Sequence, residues 1–213
     1  MKKYIALLCV CMLLISVIGG CAKKDAEPAP AEPVQTESAE QTESPAEPER
    51  QDGEQFEATI MIEGMEETIK LQHVKNETAG FQVDFDYENF VRRSEPDREC
   101  FISVWDGQGN PENFLEVSRR AEDAETAAAA VRAELSQEYE LLESTRELDR
   151  AGECTYIEAS VVKGTNQMAD QLQMVYIIPA GDGCIVATVH CAAEAAEGFA
   201  RRFNYMINTI SAL

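Results

Sequence analysis

The sequence has 213 residues, a formal net charge of −21 and seven cysteines. A chain this acidic repels nucleic acid, because phosphate binding needs clustered Lys and Arg side chains, and it also repels anionic lipid headgroups. We therefore expect no nucleic-acid partner, and we interpret the charge as a source of solubility at a crowded surface.

The N-terminal stretch is typical of a secretory signal. Two lysines precede a mostly apolar run over residues 5–18, which is shorter than the roughly 20 residues of a membrane span. The Ile-Gly-Gly-Cys ending at 18–21 resembles the lipobox of bacterial lipoproteins, in which the cysteine takes the lipid. We expect residues 1–20 to be a signal peptide and Cys21 to carry a palmitate-type anchor. The protein would then face the extracytoplasmic side of the cell membrane, as it also would with an uncleaved apolar anchor.

Residues 21–55 are predicted to be a lipidated cysteine followed by a disordered tether. The stretch 22–55 is rich in Pro, Ala and Glu, holds ten acids against three bases and shows no apolar periodicity. Such a composition buries too little surface to offset the entropy of folding. Residues 56–213 are predicted to form one domain, an ordinary size for a single core.

Short β-like runs open this domain. The runs 56–62 and 67–74, with Glu-Gly-Met-Glu between them, predict a hairpin. Over 81–87, large apolar residues alternate with polar ones, which predicts a strand with one buried and one solvated face. Two further strands are predicted at 100–105 and 114–117, on either side of a Gly-rich turn.

The first predicted helix covers residues 124–139. Asp123 is a suitable N-cap, and Ala127, Val131 and Leu135 recur at four-residue spacing to form a narrow apolar stripe. Strands are predicted after it at 140–148, 154–162, 171–178 and 184–191, with a strong hairpin turn between the last two.

A second helix, predicted over 193–210, is the more amphipathic of the two, and we expect it to pack across the sheet. Runs of strands with separated helices predict an α+β fold with a twisted, mostly antiparallel sheet flanked by helices. The apolar face of the second helix holds Phe199, Phe203, Met206, Ile207 and Ile210, and its polar face is expected to turn Arg201, Arg202, Asn204 and Asn208 away.

The order of these elements resembles the PsbP and DcrB-like lipoprotein superfamily. The likeness covers residues from about 78 to 213: a Gly-Phe-Gln-Val-Asp-Phe strand (80–85), an alanine-rich helix, an Ala-Gly-Glu-Cys-Thr-Tyr strand (151–156), a Gly-Asp-Gly turn (181–183) and a C-terminal helix. It implies an α-β-α sandwich and a non-enzymatic envelope or accessory protein that attaches to membrane assemblies. The hairpin at 56–74 is then an addition to the common core. No functional residue is implied, since the resemblance rests on fold positions alone.

Four cysteines, Cys100, Cys154, Cys184 and Cys191, fall in the domain, all in apolar stretches predicted as strands. This favours small buried hydrophobes, with disulfides and a metal site as alternatives. Cys184 and Cys191 are seven residues apart, which places them on opposite faces of one strand, so we expect no bond between them. No CxxC pair occurs, and we predict neither a cofactor nor a metal.

The only histidines are His73 and His190. His190 precedes Cys191, but adjacent residues of a strand point to opposite faces. A Cys-His pair for nucleophilic catalysis would therefore need Cys154 or Cys100 from a neighbouring strand. No GxSxG or SxxK motif is present, so we predict that the domain is not an enzyme.

Two acidic stretches are candidate cation sites. Asp84, Asp86 and Glu88 alternate along one strand and share a face, which suits oxygen ligation of calcium. We favour the solvated face of an amphipathic strand, because no EF-hand spacing supports the metal. The Gly-rich segment 106–110 is likewise interpreted as a turn.

Three arginine pairs, at 92–93, 119–120 and 201–202, interrupt the acidic background. Gathered in space they would form a positive patch for an anionic glycan or a protein, but dispersed surface charge is the favoured interpretation. Trp105, the single tryptophan, is interpreted as a core residue rather than an exposed stacking platform for a sugar.

These observations predict a membrane-anchored extracytoplasmic lipoprotein that acts as a non-enzymatic binding or accessory module for an envelope protein complex. The alternative is a small-ligand or glycan-binding surface receptor component, although the chain is short for a two-lobed solute receptor. An exposed apolar patch would indicate the protein partner. A concave pocket with convergent polar groups would indicate the ligand.

Overall fold

The computed structural model describes residues 49–213 except Glu63, Asp106 and Gly107, without the side chains of Trp105, Gln108 and Glu197. The predictions for residues 1–48, including the signal, Cys21 and most of the tether, lie outside the described residues. No helix in the described part is long and apolar enough to cross a membrane. The elements are β1 (Gln55–Ile62), β2 (Met65–Asn76), β3 (Phe81–Asp86), β4 (Phe90–Glu95), β5 (Arg98–Trp105), β6 (Gln108–Arg120), α1 (Ala124–Leu135), β7 (Tyr139–Leu148), β8 (Gly152–Val162), β9 (Met168–Ala180), β10 (Gly183–Ala192), a 3₁₀ turn (Ala193–Ala195), α2 (Ala196–Asn208) and β11 (Ser211–Ala212).

The described strands form two antiparallel sheets rather than one. The smaller sheet has the order β1-β2-β3-β11, and the larger has the order β4-β5-β6-β10-β9-β8-β7. The α+β class with mostly antiparallel pairing is therefore confirmed, and so is the predicted opening hairpin. The predicted strand over 81–87 pairs with that hairpin, through β2, and not with the strands that follow it.

The larger sheet is packed on both faces. α1 lies on one face, where Ala127, Val131 and Leu135 are buried against residues such as Ile177 and Val186. The opposite face carries the main core, to which α2 and the smaller sheet both contribute. Helices therefore flank the sheet, but the arrangement is only partly that of an α-β-α sandwich, because the second layer also contains the smaller sheet.

α1 begins where the sequence predicts. The Asp123 carboxylate caps it by accepting a hydrogen bond from the Thr126 backbone N–H at 2.8 Å. The helix ends at Leu135, so the predicted end at Tyr139 is wrong. The reason is that Tyr139 begins β7 and pairs with Val162 of β8, and strand pairing overrides the local helix propensity there.

α2 packs on two sides. Its predicted apolar stripe is confirmed, with Phe203 and Met206 fully buried. The expectation that Arg202 points away is wrong, because its guanidinium donates to Asp86 of β3 at 2.7 Å and also contacts Glu67 of β2. Polar residues of α2 thus join the helix to the smaller sheet while the aromatic residues join it to the core.

Gly183, at the start of β10, lies against the end of β6. A Cβ atom at this position would overlap the carbonyl oxygen of Arg120, which is backbone and cannot rotate away. We expect Gly183→Ala to lower the free energy of unfolding by about 1–3 kcal/mol, measured by urea unfolding. Gly198→Ala is the matched control, because a Cβ there meets nothing within 4 Å. That change should raise stability by up to about 1 kcal/mol through helix propensity, and a neutral Gly183→Ala would contradict the proposed overlap.

Candidate functional site

A groove lies beside the C-terminal end of α1, on the part of the larger sheet that this helix leaves open. Its floor comes from three neighbouring strands, β6, β10 and β9. In the register of these strands, His190 stands between Phe114 and Gln173, and Thr188 stands between Glu116 and Val175. All these residues share the α1 side of the sheet, because side chains alternate along a strand.

The end of α1 and the turn into β7 form the walls of the groove. The cavity has a volume of about 430 Å³, within the roughly 300–1,000 Å³ typical of small-molecule sites. Its lining residues are Phe114, Glu116, Arg120, Val131, Glu134, Leu135, Gln137, Glu138, Tyr139, Gln173, Val175, Thr188 and His190.

His190 forms the centre of the floor. Its ring stacks on Phe114, with centroids 4.5 Å apart and planes inclined by 17°. Burial lowers the pKa of His190 below its ordinary value, and the negative charge of Glu116 opposes that effect only in part. The imidazole is therefore neutral near pH 7, with one nitrogen that can donate and one that can accept.

Three polar groups of the floor are half-buried but unused by the protein. Among the described residues, no group hydrogen-bonds to the side chains of Gln173, Thr188 or His190. Polar groups inside a folded domain are normally paired, so unpaired ones that converge in a cavity are available to a ligand.

The groove is acidic. Glu116, Glu134 and Glu138 border it, and Arg120 is the one cationic side chain among its described lining residues; Glu116 also lies 3.6 Å from the guanidinium of Arg98. Arg120 lies 3.5 Å from the carboxylate of Glu122, which offsets much of its charge. Anions are therefore disfavoured in the groove relative to neutral and cationic groups.

The four domain cysteines lie apart from His190. Cys184 and Cys191 face opposite sides of β10, as predicted, and Cys154 faces the main core, away from the groove. Cys100 is on the groove side but pairs across β5–β6 with Glu116, and it is separated from β10 by the whole width of β6. Two strand spacings are about 10 Å, so no Cys-His nucleophile pair is assembled in the described domain.

All four cysteines are free thiols. Burial raises the pKa of Cys100 to about 11, with a further contribution from Glu116, and burial also raises the pKa of the other three thiols. Since the thiolate is the reactive form, all of these groups are poor nucleophiles at neutral pH.

We therefore expect slow alkylation of the folded protein by iodoacetamide at pH 7.5. Cys100, the half-exposed thiol, should be labelled first, and its rate should rise about tenfold per pH unit towards pH 10 as the thiolate forms. Peptide mapping by mass spectrometry identifies the labelled positions, and a guanidinium-unfolded sample provides the fully reactive control. A disulfide-linked peptide, or fast labelling of Cys100 at pH 7.5, would contradict this assignment.

Asp84 is fully buried, so its assignment to a solvated strand face is wrong. Its carboxylate lies 2.5 Å from Nδ1 of His73 and 2.7 Å from the guanidinium of Arg150, and Arg50 lies 3.9 Å away. Its backbone N–H donates to the hydroxyl of Thr209 at 2.9 Å. The carboxylate of Asp84 thus joins β2, the β7–β8 turn and the segment that precedes β1, and its backbone adds the end of α2.

Asp86 and Glu88 do not converge with Asp84 on a cation. Asp86 is also fully buried, and besides Arg202 it accepts hydrogen bonds from the Asn89 side chain and from the turn that follows β3. Glu88 lies at the surface, 2.7 Å from the ammonium group of Lys70. Across the described residues, no group of three or more His, Cys, Asp or Glu side chains is placed to hold a metal ion.

Four of the six arginines in the three pairs lie beside acidic partners in different parts of the described domain. Asp106 and Gly107 of the Gly-rich turn, and the side chain of Trp105, lie outside what the structure describes. One of the acidic partners is Glu99 of β5, whose carboxylate is buried. It accepts hydrogen bonds from Arg92 of β4 and from the side chain of Asn76 of β2, so it joins the smaller sheet to the larger one. The ion pairs involved are Arg92–Glu99, Arg119–Asp182, Arg120–Glu122 and Arg202–Asp86.

Most of the groove was not predicted from the sequence. His190 was identified as a candidate, but its neighbours Phe114, Glu116, Gln173 and Thr188 were not. The one available signal is that β10 is otherwise apolar, so polar residues at alternate positions 188 and 190 mark a stretch of sheet that no helix covers.

No protein-family model matches the sequence, and no curated protein matches it. Among solved structures, the chain is similar to the solution structure of cyanobacterial PsbP (CyanoP) from Synechocystis sp. PCC 6803, with 10% identity, 67% of this chain and 92% of that chain covered, and a TM-score of 0.47. It is also similar to a crystal structure from Bacteroides thetaiotaomicron VPI-5482, with 14% identity, 63% of this chain and 45% of that chain covered, and a TM-score of 0.37. A PsbP protein, the family that the element order resembles, is thus among the solved structures to which the chain is similar. This similarity concerns the fold alone, and we base no conclusion about function on it.

Proposed function

We propose that the protein is a non-enzymatic binding module, anchored through lipid on Cys21 to the extracytoplasmic side of the cell membrane, and that the groove beside α1 is its ligand site. The observation that carries this proposal is the convergence, in a cavity of about 430 Å³, of the half-buried side chains of Gln173, Thr188 and His190, which have no hydrogen-bond partner in the described part of the chain. Such a pocket favours the small-ligand alternative over the envelope-complex role.

Binding without catalysis follows from the separation of the reactive groups. Among the described residues, no thiol lies beside His190, since Cys154 faces the other side of the sheet and Cys100 is two strands away. Nor does any hydrogen bond in this part of the chain join His190 to the hydroxyl of Thr188. The domain thiols hold their protons at neutral pH because burial raises their pKa values. A general base and a nucleophile within hydrogen-bond reach of each other are what nucleophilic catalysis requires.

The anchor and the tether complete the proposal. The acidic, proline-rich stretch 22–55 would hold the domain away from the bilayer, by roughly 30 Å if flexible and up to about 105 Å if extended. Cys21→Ala should release the protein from the membrane fraction, and the mass of the N-terminal peptide should show the lipid on Cys21. A variant that stays in the membrane fraction, with the unlipidated peptide in the parent, would refute this anchor.

The groove is tested by thermal unfolding of the full-length chain in mild detergent, with a panel of small cationic, anionic and neutral polar compounds. A ligand should raise the Tm of the parent protein and have less effect on Thr188→Val, which removes one floor hydroxyl at nearly constant volume. Thr155→Val is the matched control, because Thr155 is also half-buried, lies in the same sheet and does not line the groove. A compound that raises the Tm of both variants equally binds outside the groove. If no compound of the panel raises the Tm of the parent protein, the result counts against the proposal.

A specific observation also favours a protein-contact role. Met61 and Met65, at the tip of the β1–β2 hairpin, are 53% and 69% exposed, and unbranched thioether side chains are common at adaptable protein surfaces. A photo-crosslinking residue at position 65 should capture one envelope protein on intact cells, whereas the same residue at the exposed position 77 should not. Equal capture at both positions would rule this surface out.

A further inference from the structure

We propose that the groove selects small organic cations, namely primary ammonium groups on a short apolar chain. This inference rests on the proposed function of the groove and names the chemistry of its ligand. Three features of the lining carry it: the balance of charge, the acceptors on the floor and the apolar residues between them.

The charge balance favours a cation. Glu134 and Glu138 stand on the wall. Glu116 on the floor is paired with Arg98, and Arg120 is paired with Glu122, so the two wall carboxylates carry the net charge of the lining. A carboxylate or phosphate ligand would meet this acidic rim without an unpaired cation to bind it. The negative potential of the rim would attract an ammonium group, and the carboxylates would partly neutralise its charge in the groove.

The floor supplies acceptors in the number that an ammonium group needs. A protonated amine has three N–H donors and no acceptor. The hydroxyl of Thr188, the amide oxygen of Gln173 and the unprotonated ring nitrogen of His190 are each able to accept, and none is used by the described part of the chain. Each of these three groups can also donate a hydrogen bond, so the floor satisfies an ammonium group and the acidic rim selects it over a ligand that only accepts.

The apolar part of the lining accounts for the rest of the ligand. Val131 and Leu135 of α1 and Val175 of β9 are buried side chains of one core cluster, and their edges line the groove. These edges offer apolar surface next to the acceptors, against which a chain of a few methylene groups can lie. The same chemistry belongs to a free alkylamine and to the side chain of lysine, and the experiment below separates these two sources.

The test is calorimetric titration of the full-length chain in mild detergent at about 0.15 M salt, where distant charges are screened. The probes are butylammonium, its neutral isostere butanol, butyrate and N-acetyl-lysine methylamide. We expect butylammonium to bind about tenfold or more tightly than butanol or butyrate. If the lysine derivative binds as tightly as butylammonium, a lysine side chain of a peptide is an acceptable ligand. If the derivative does not bind, the ligand is a free alkylamine. Either result supports the ammonium class.

The matched variants separate a site from general acidity. Glu134→Gln with Glu138→Gln should weaken butylammonium binding by about tenfold, the sum of two modest ion contacts. Glu66→Gln with Glu77→Gln, two exposed acids outside the groove, makes the same change in net charge and should leave affinity nearly unchanged. Equal weakening by the two double variants would overturn the inference. If butanol or butyrate binds more tightly than butylammonium, and Thr188→Val weakens that binding, the ammonium class is overturned but the groove remains a ligand site. If no probe binds, the result counts against both the ammonium class and the groove as a ligand site.

Discussion

Replacing Asp84 by alanine is expected to lower the free energy of unfolding by about 3–5 kcal/mol, the usual cost of removing one partner from a buried ion pair. The carboxylate is fully buried and is the shared partner of His73 and Arg150, with Arg50 close by. Its removal takes a negative charge away from two largely buried guanidinium groups, those of Arg50 and Arg150, and leaves less charge to offset their desolvation. It also leaves His73, whose Nε2 already has no partner among the described residues, without its remaining hydrogen bond.

Asp84→Asn separates charge from shape. The amide preserves the volume and can still accept a hydrogen bond, so we expect a smaller loss, about 2–3 kcal/mol. Asp170→Asn on β9 is the matched control, because Asp170 is exposed and its change should stay within about 0.5 kcal/mol. The free energies of unfolding of all three variants are measured by urea unfolding and compared at equal m-values. A loss below about 1 kcal/mol for Asp84→Ala would place this network in the same range as a surface ion pair.

The example of β3 shows why periodicity predicted the strand correctly and its environment incorrectly. Alternation of apolar and polar residues over 81–86 identifies an extended segment with two unlike faces. It does not say what lies on the polar face. In the folded domain, α2 and the β7–β8 turn cover that face, so Asp84 and Asp86 become buried charges with arginine partners distant in sequence.

The elements that were missed have a weak pattern for a physical reason. In β4, Phe90 is the one buried residue, and the charged and polar side chains after it resemble a loop. The two-residue β11 is held by pairing with β3 rather than by any local preference. The division into two sheets was likewise not predictable, because alternation determines which residues share a face but not which strand lies next to which.

The groove depends on the same long-range information. Its floor takes two residues from each of three strands, of which β6 is far in sequence from the β9–β10 hairpin, and its existence depends on α1 ending at Leu135. A helix extended to Tyr139, as predicted, would not have left this end of the sheet open in the same way. The resemblance in element order predicted the class of fold but contained no information about this site.

Replacing Phe203 by alanine is expected to lower the free energy of unfolding by about 3–5 kcal/mol, because a fully buried aromatic side chain is lost and a cavity remains. Phe203 is 1% exposed and packs against Phe90 of β4, with ring centroids 5.2 Å apart, and against Phe199 on its own helix. The loss should also loosen the polar side of α2, since Arg202 directly precedes Phe203 and Thr209 is the C-cap of the same helix.

Two variants of α2 make this prediction specific. Phe203→Leu keeps most of the apolar volume and should cost less than about 1.5 kcal/mol. Arg201→Ala, at an exposed position two residues before Phe203, should change stability by no more than about 0.5 kcal/mol. Because the aromatic packing and the Asp84 network hold the same helix, the losses in Phe203→Ala and Asp84→Ala should not be additive in the double variant. Urea unfolding of the parent protein, the two single variants and the double variant measures this additivity. Strictly additive losses would show that the apolar and polar sides of α2 act independently. They would contradict the view that this helix joins the two sheets.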